Sequence, residues 1–241
     1  MRARCGVGTA SLLLIVAGFG TGLAYGRGGG SPVWRELIGR SVRGRPIYAY
    51  RLGQSGARPV LVVGCIDGDE PAGIAIVTAL RRMQPPTGVD LWLVPTINPD
   101  GLAAGTTGNA HGVDLNRNFP YAWRHLGGSG HLDSGPRPLS EPESRAIHRF
   151  LLRVKPRHAI WFHQPLGLVD DSQGSRRLER IFARLIRLPL RPLTDYPGSI
   201  TNWENHRFPR STAFVTELPQ GPLGHPRALR YADAILALTP Q

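Results

Sequence analysis

The sequence predicts an α/β fold, an α/β/α sandwich on a mixed, largely parallel sheet, and three observations carry that prediction. Short, strongly apolar runs stand at Pro59–Ile66, Val89–Ile97, Arg157–His163 and Ser211–Glu217. Segments with apolar residues at helical spacing stand between and after them. The two kinds alternate along the chain, with no internal repeat and no second composition regime after Pro32.

Taken in order, Ile47–Leu52 alternates weakly and predicts a strand. Pro59–Ile66 (PVLVVGCI) is continuously apolar, as a strand covered on both faces should be. Pro71–Met83 predicts a helix with proline in its first turn, and Val89–Ile97 (VDLWLVPTI) the next strand. Asn98 to Leu139 is rich in Gly and Asn and lacks periodicity; so long a loop inside a compact domain predicts a functional one. Ser140-Glu141-Pro142-Glu143 has the form of a capping box, Ser at the N-cap and Glu at the third position, opening a helix through about Arg153. Arg157–His163 predicts a strand, Ser175–Arg187 a helix, Ser211–Glu217 a strand and Arg227–Leu238 the closing helix.

Of 241 residues, 41% are hydrophobic and only 19% charged, so the chain can bury a core and is not disordered. The formal net charge is +12, mostly arginine. Two readings of that charge stand: a solvated arginine-rich surface, or attraction to an anionic neighbour such as cell-wall polymer or lipid headgroups. No basic run is interleaved with aromatics, so nucleic acid is not an expected partner. Of two cysteines, Cys5 precedes an apolar run and Cys65 lies in a predicted buried strand; no disulfide framework is expected, and Cys65 reads as a small core residue.

Two arginines in Met1–Arg4 precede a run of apolar and small residues from Gly6 to Tyr25, the pattern of an export signal. Ala24-Tyr25-Gly26 offers a small-x-small cleavage site, and an uncleaved membrane anchor is the competing reading, because the run is long enough to span a bilayer. The expected organisation is therefore a signal peptide or anchor over 1–26, a linker over 27–33 and one catalytic-sized domain over 34–241, working outside the cytoplasm, secreted or membrane-attached.

Three apolar strands run directly into acidic or imidazole side chains: one into Asp67-Gly68-Asp69-Glu70, one into His163, the last into Glu217. Ligands gather outside the carboxyl ends of strands in open α/β sheets. Converging there, these residues would make a hard-to-borderline metal site with a spare carboxylate. Singly each has a plainer explanation: Glu70 as a cap for the helix after it, His163 as a satisfied core histidine. The loop adds Asp114-Leu115-Asn116-Arg117-Asn118-Phe119, in which Arg117 is either a surface turn residue or a forked guanidinium presented to a carboxylate.

These stretches, together with Ile38–Ile47, Gly64–Gly73, Asn98-Pro99-Asp100-Gly101, Tyr196-Pro197-Gly198-Ser199 and Thr216-Glu217-Leu218-Pro219, resemble the carboxypeptidase A-like zinc peptidases, in particular their murein peptide amidase A-like branch. The blocks fall in family order across nearly all of Ile38–Pro219. The resemblance implies one Zn2+, with Glu70 and His163 on two ligand positions, Glu217 as general base, Asn116 and Arg117 as anchors for a substrate's terminal carboxylate, and Tyr196, a looser match, as a tyrosine closing on the substrate. It implies short peptide substrates, peptidoglycan fragments among them.

Two positions depart from the family. Asp67 stands where the family has a histidine ligand; aspartate also binds zinc, but its shorter, anionic side chain should lower Lewis acidity and move preference toward a harder metal. Thr107 stands where relatives carry an arginine that stabilises the oxyanion, and losing one such donor costs on the order of 10²–10³ in rate. Arg124 is a candidate substitute. The resemblance thus supports two readings: a working exported metallopeptidase, and a pseudoenzyme that binds carboxylate-ended peptides without cutting them. No Gly-x-Ser-x-Gly elbow supports a serine hydrolase.

Overall fold

A computed structural model describes residues 33–127, 133–172, 174–193 and 196–238. The expected export segment, with Cys5 and most of the linker, lies outside the described residues. Among the described residues eight strands form one sheet: β1 (Trp34–Arg40), β2 (Pro46–Gly53), β3 (Pro59–Val63), β4 (Asp90–Val94), β5 (His158–His163), β6 (Leu166–Asp170), β7 (Leu190–Arg191) and β8 (Thr212–Pro219), in the order β1-β2-β4-β3-β5-β8-β6-β7. The centre, β4-β3-β5-β8, is parallel; β2 joins β4, β1 joins β2 and β6 joins β8 antiparallel. The fold is the predicted mixed α/β sandwich, with β1, β6 and β7 added at the margins where the sequence pattern is weakest.

The alternation of the central strands divides the core into two layers. Val60 and Val62 of β3, Ile160 and Phe162 of β5 and Phe214 of β8 pack against α1 (Gly73–Leu80), α4 (Arg176–Ile186) and α6 (His225–Leu238). Leu61 and Val63, Ala159 and Trp161, and Ala213 face the other way, toward α3 (Pro142–Val154) and α5 (Ile200–Arg207). His163 and Glu217 continue this second series, so both side chains emerge on the α3/α5 side at the ends of their strands.

The helix predicted over Pro71–Met83 is regular only over Gly73–Leu80; its flanks are turns. Gly73 must sit where it does because a β-carbon there would lie 2.3 Å from the Gly64 carbonyl oxygen. The long loop contains a short helix, α2 (Pro99–Ala104), capped by the Asn98 side chain, and a 3-10 turn over Leu115–Arg117 capped by Asp114. The capping box at Ser140 does not form. Helix α3 begins one residue later, with Glu141 at the N-cap and no side-chain cap. The Ser140 hydroxyl donates instead to Glu141 Oε1 at 2.7 Å, and Glu143 turns to accept from the Val42 amide at 2.9 Å. Cys65 is buried and free, its thiol donating to the Asp67 carbonyl, and burial pushes its pKa up to about 12, as a core thiol should behave.

Candidate active site

The three strand ends meet. Parallel pairing sets His163 of β5 directly beside Glu217 of β8, and the turn after β3 brings Asp67 and Glu70 against the same histidine. His163 Nδ1 lies 3.0 Å from Asp67 Oδ2 and 3.1 Å from Glu70 Oε2, and one ligand atom from each of the three residues falls within 4.8 Å of the other two. Glu70 is fixed by the Gln164 amide, which donates to Oε2 at 2.9 Å. Glu70 does not cap α1, whose N-cap is Ala72 without a side-chain hydrogen bond, and His163 is buried with carboxylate partners on one side of its ring.

The turn that carries Asp67 is held by close backbone packing. A β-carbon on Gly68 would lie 2.1 Å from the Gly101 carbonyl carbon, so only glycine lets this turn rest against α2. The Gly68 amide donates to the Thr107 carbonyl, which also accepts from Asn98 Nδ2 at 3.0 Å. The Thr107 hydroxyl donates to Asp69 Oδ2 at 2.9 Å. Thr107 therefore lines the cleft but offers no cation, and Arg124 is not among the cleft-lining residues; Arg117 is the only arginine there among the described residues.

Electrostatics follow from burial and crowding. Burial alone would push the His163 pKa down, but the carboxylates of Asp67 and Glu70 outweigh it and hold the imidazole well above its ordinary value. A pair of carboxylates that attracts a proton this strongly attracts a metal cation for the same reason. Among the described residues Asp67 Oδ1 is buried without a hydrogen-bond partner, a costly state that a coordinated cation would relieve. Two carboxylates and one imidazole converging with one oxygen unspent fit a divalent cation of the zinc type. Glu217 is raised by burial, partly offset by His163 and reinforced by Glu70, which favours a group able to hold a proton.

Opposite this cluster the 3-10 turn presents Asn116 and Arg117. Asn116 Oδ1 accepts from the Ile200 amide at 3.1 Å, which aims Nδ2 toward His163 Nε2 at 3.4 Å and ties the loop to α5. Arg117 Nη1 donates to the Asn116 carbonyl at 2.9 Å, its Nε lies 3.8 Å from Asp114 Oδ2, and its guanidinium stacks under the Tyr196 ring at 4.2 Å. Asp114 is buried, and burial with the nearby Asp67 charge pushes it up to about 8 against the pull of Arg117. Gly198, at φ +71°, allows the Tyr196 segment this close, since a β-carbon there would meet the Arg117 carbonyl oxygen at 2.3 Å. Every residue expected at the site, Asp67, Glu70, Asn116, Arg117, His163, Tyr196 and Glu217, lines one cavity of about 290 Å³.

That cavity also holds residues the sequence reading passed over: Asp170, Ser172, Thr201 and Asn202. Asp170 was findable by the rule that found the others, because β6 is another apolar strand that runs into an acid. Its apolar run is only Leu166-Gly167-Leu168-Val169, too short to stand out.

A zinc-bearing peptidase class is what this fold and site define: an α/β sandwich with a metal-type donor cluster at the strand ends, a carboxylate beside it and an arginine across from it. The zinc carboxypeptidase family model matches residues 33–164, and the chain belongs to that family. Murein peptide amidase A of Escherichia coli K12 is 31% identical over 189 residues, covering 73% of this chain and 78% of that protein. The Vibrio campbellii protein of the same name is 32% identical over 221 residues, covering 83% and 85%. The crystal structure of murein-tripeptide amidase from Escherichia coli O157 superposes with a TM-score of 0.72 at 28% identity, over 88% of this chain and 93% of that one. Carboxypeptidase A of Helicoverpa armigera shares the fold, at TM-score 0.71 and 16% identity over 86% of this chain and 67% of that one.

Proposed function

We propose that the chain is an exported, zinc-dependent metallopeptidase that hydrolyses short peptides bearing a free terminal carboxylate, with peptidoglycan stem peptides as the natural class. The observation that carries this reading is the gathering of the Asp67–Glu70–His163 donor cluster, Glu217 and Arg117 around one cavity. The relatives named murein peptide amidase supply the substrate class, and the N-terminal signal-like segment supports an extracytoplasmic setting.

Asp67, Glu70 and His163 would hold the metal, which when bound supplies Lewis-acid polarisation of the scissile carbonyl and a water of lowered pKa. Glu217 takes a proton from the attacking water and passes it to the leaving amine; its raised affinity for protons suits that shuttle. Arg117, with Asn116 beside it, grips the terminal carboxylate and fixes which bond faces Glu217. Tyr196 covers the guanidinium from the solvent side and is half exposed, placed to fold over a bound residue.

Incubating the zinc-loaded chain with a murein tripeptide and chromatographing the products tests this reading. Wild type is expected to release the terminal residue, and Glu217→Gln to be slower by roughly 10²–10⁴-fold. Equal rates in the two proteins would remove Glu217 from its role.

The alternative, a peptide-binding pseudoenzyme, is favoured by one specific observation: the Thr107 hydroxyl is turned to Asp69 where the family resemblance puts an oxyanion arginine. If wild type is inert but the double variant Asp67→His, Thr107→Arg cuts the tripeptide, the binding reading replaces the catalytic one. If the double variant is also inert, these two departures are not what separates the chain from its active relatives.

A further inference from the structure

Helix α4 turns outward a face that folding does not explain. Its inner side, Phe182, Ala183 and Ile186, is buried in the cluster under α1, α4 and α6. Its outer side presents Arg176, Arg177, Arg180 and Arg184, with Arg187 at the C-cap, all exposed. The single acid of the helix, Glu179, is buried. On other parts of the surface arginines do find carboxylates: Arg45 pairs with Asp100, Arg51 with Asp90 and Arg153 with Glu36. Among the described residues no arginine of α4 takes part in an ion pair. Spaced three and four apart, these like charges repel one another along the helix. Arg176 and Arg177 also stand in its first turn, where the helix dipole disfavours cations. Both arrangements cost stability in the free protein, and an anionic surface laid against the helix offsets that cost.

The patch extends beyond α4. Helix α6 packs beside it on the same face of the sheet and adds the exposed Arg227 and Arg230. Among the described residues Asp233 is the one exposed acid on α1, α4 and α6. Two aliphatic side chains stand among the arginines, Ile181 at 40% exposed and Leu185 at 41%, four apart and therefore neighbours on the helix surface. A wall polymer or nucleic acid would satisfy the arginines and leave these two in water. A lipid interface takes both kinds, phosphates against the guanidinium groups and aliphatic side chains at the headgroup–acyl boundary. The chain is also entered from this side: Val33, the first described residue, packs against the same apolar cluster as α4. The expected signal or anchor segment is thus joined to the domain here. His163 and Glu217 emerge on the opposite, α3/α5 side, so contact through α4 leaves the cleft uncovered.

We infer that the outer face of α4 is a docking surface for an anionic lipid bilayer. Arg177, Arg180 and Arg184 meet the headgroup phosphates, and Ile181 and Leu185 enter the interface between them. The arginines of α6 widen the contact. This surface is independent of metal binding and of turnover, and it holds the domain flat on the membrane with its cleft turned away.

The test is the partition coefficient of the full-length chain onto vesicles, measured by sedimentation. One set of vesicles is pure phosphatidylcholine, the other an equal mixture of phosphatidylcholine and phosphatidylglycerol. Whatever the N-terminal apolar run adds to both cancels in the ratio of the two coefficients. That ratio is expected to be well above one in wild type and to fall roughly ten- to a hundredfold in Arg177→Gln/Arg180→Gln/Arg184→Gln. The melting temperature should hold, because the variant loses only unpaired, exposed charges. A matched variant, Arg149→Gln/Lys155→Gln/Arg207→Gln, removes the same charge from exposed positions on the α3/α5 side and should keep the wild-type ratio. A wild-type ratio near one overturns the inference, and so do equal falls in the two triple variants, which would mean attraction by net charge alone. Ile181→Ser/Leu185→Ser separates a bilayer from other polyanions. It is expected to weaken partition onto the mixed vesicles roughly threefold to tenfold. Unchanged partition in that variant would mark a polyanion site and overturn the assignment to lipid.

Discussion

The two faces of the sheet are built by different chemistry. The face under α1, α4 and α6 is filled chiefly by carbon: Val60, Val62, Ile76, Leu93, Ile160, Phe162, Phe182, Phe214 and Tyr231 pack as one cluster. The face under α3 and α5 has its own apolar cluster, but buried polar groups are threaded through it. Trp161 Nε1 donates to Glu204 Oε2 at 2.7 Å; Asn118 Nδ2 donates to the Ser134 and Arg137 carbonyls; Asn109 bridges Glu141 and Glu143. The first face supplies stability. The second adds hydrogen bonds that hold loops in place, and the His163 and Glu217 side chains emerge on its side. Carbon packing requires no particular pattern of side-chain hydrogen bonds, whereas a cleft needs one, and that is the lesson of the difference.

The largest expected effect lies on the carbon face. Phe214→Ala removes a ring that meets Phe182 edge-on at 5.7 Å and should cost about 3–5 kcal/mol of stability, read by denaturant unfolding. Below the unfolding transition, metal retention should be unchanged; a loss of metal in folded Phe214→Ala protein would break the division between the faces.

On the polar face, Glu204 sharpens the comparison. It is fully enclosed, and burial pushes its carboxyl from the usual 4.5 up to about 8, offset only partly by the Trp161 hydrogen bond. A folded pKa above the unfolded one means the folded state binds the extra proton. Its contribution is fully present below pH 4.5 and is lost as pH rises through 8. Glu204→Gln keeps an acceptor for Trp161 and cannot ionise. Relative to wild type it should be near neutral at pH 4.5 and more stable at pH 8, by on the order of a few kcal/mol. Parallel stability curves for the two proteins across that window would contradict the assignment.

The smallest of these effects in free energy concerns recognition. Arg117→Ala should weaken binding of carboxylate-ended peptides roughly ten- to a hundredfold, since hydrogen bonds to charged groups contribute about 1.5–3 kcal/mol. Zinc retention should be unaffected, because Arg117 faces the donor cluster across the cavity without belonging to it.

The carbon face and the strand ends were legible in the sequence; most of the polar face was not. Continuous apolar runs mark β3, β4, β5 and β8 because strands covered on both faces have no polar side to alternate with. The residues that end them, Asp67, His163 and Glu217, stand out against that background. Strands β1, β6 and β7, toward the margins of the sheet, escape because they are short or partly exposed and carry no such run. Helix α2 carries its signals, Asn98 as cap and Pro99 at the first position, but six residues are too few to show a period. Ser140 was misread because local spacing cannot say that Asn118 Nδ2, twenty-two residues away, would donate to its hydroxyl at 2.9 Å. Burial also lies beyond sequence pattern: that Asp170 loses its water depends on β6 pairing with β8.

The central claim is that Asp67, Glu70 and His163 together hold a metal. It is tested most directly by the zinc content of the purified full-length chain after exposure to limiting zinc and exhaustive dialysis, beside His163→Ala treated alike. The account predicts about one equivalent retained by wild type, as a three-ligand catalytic site should hold, and none by the variant. Wild-type protein that is folded and yet retains no zinc, or a variant that retains as much as wild type, would contradict it.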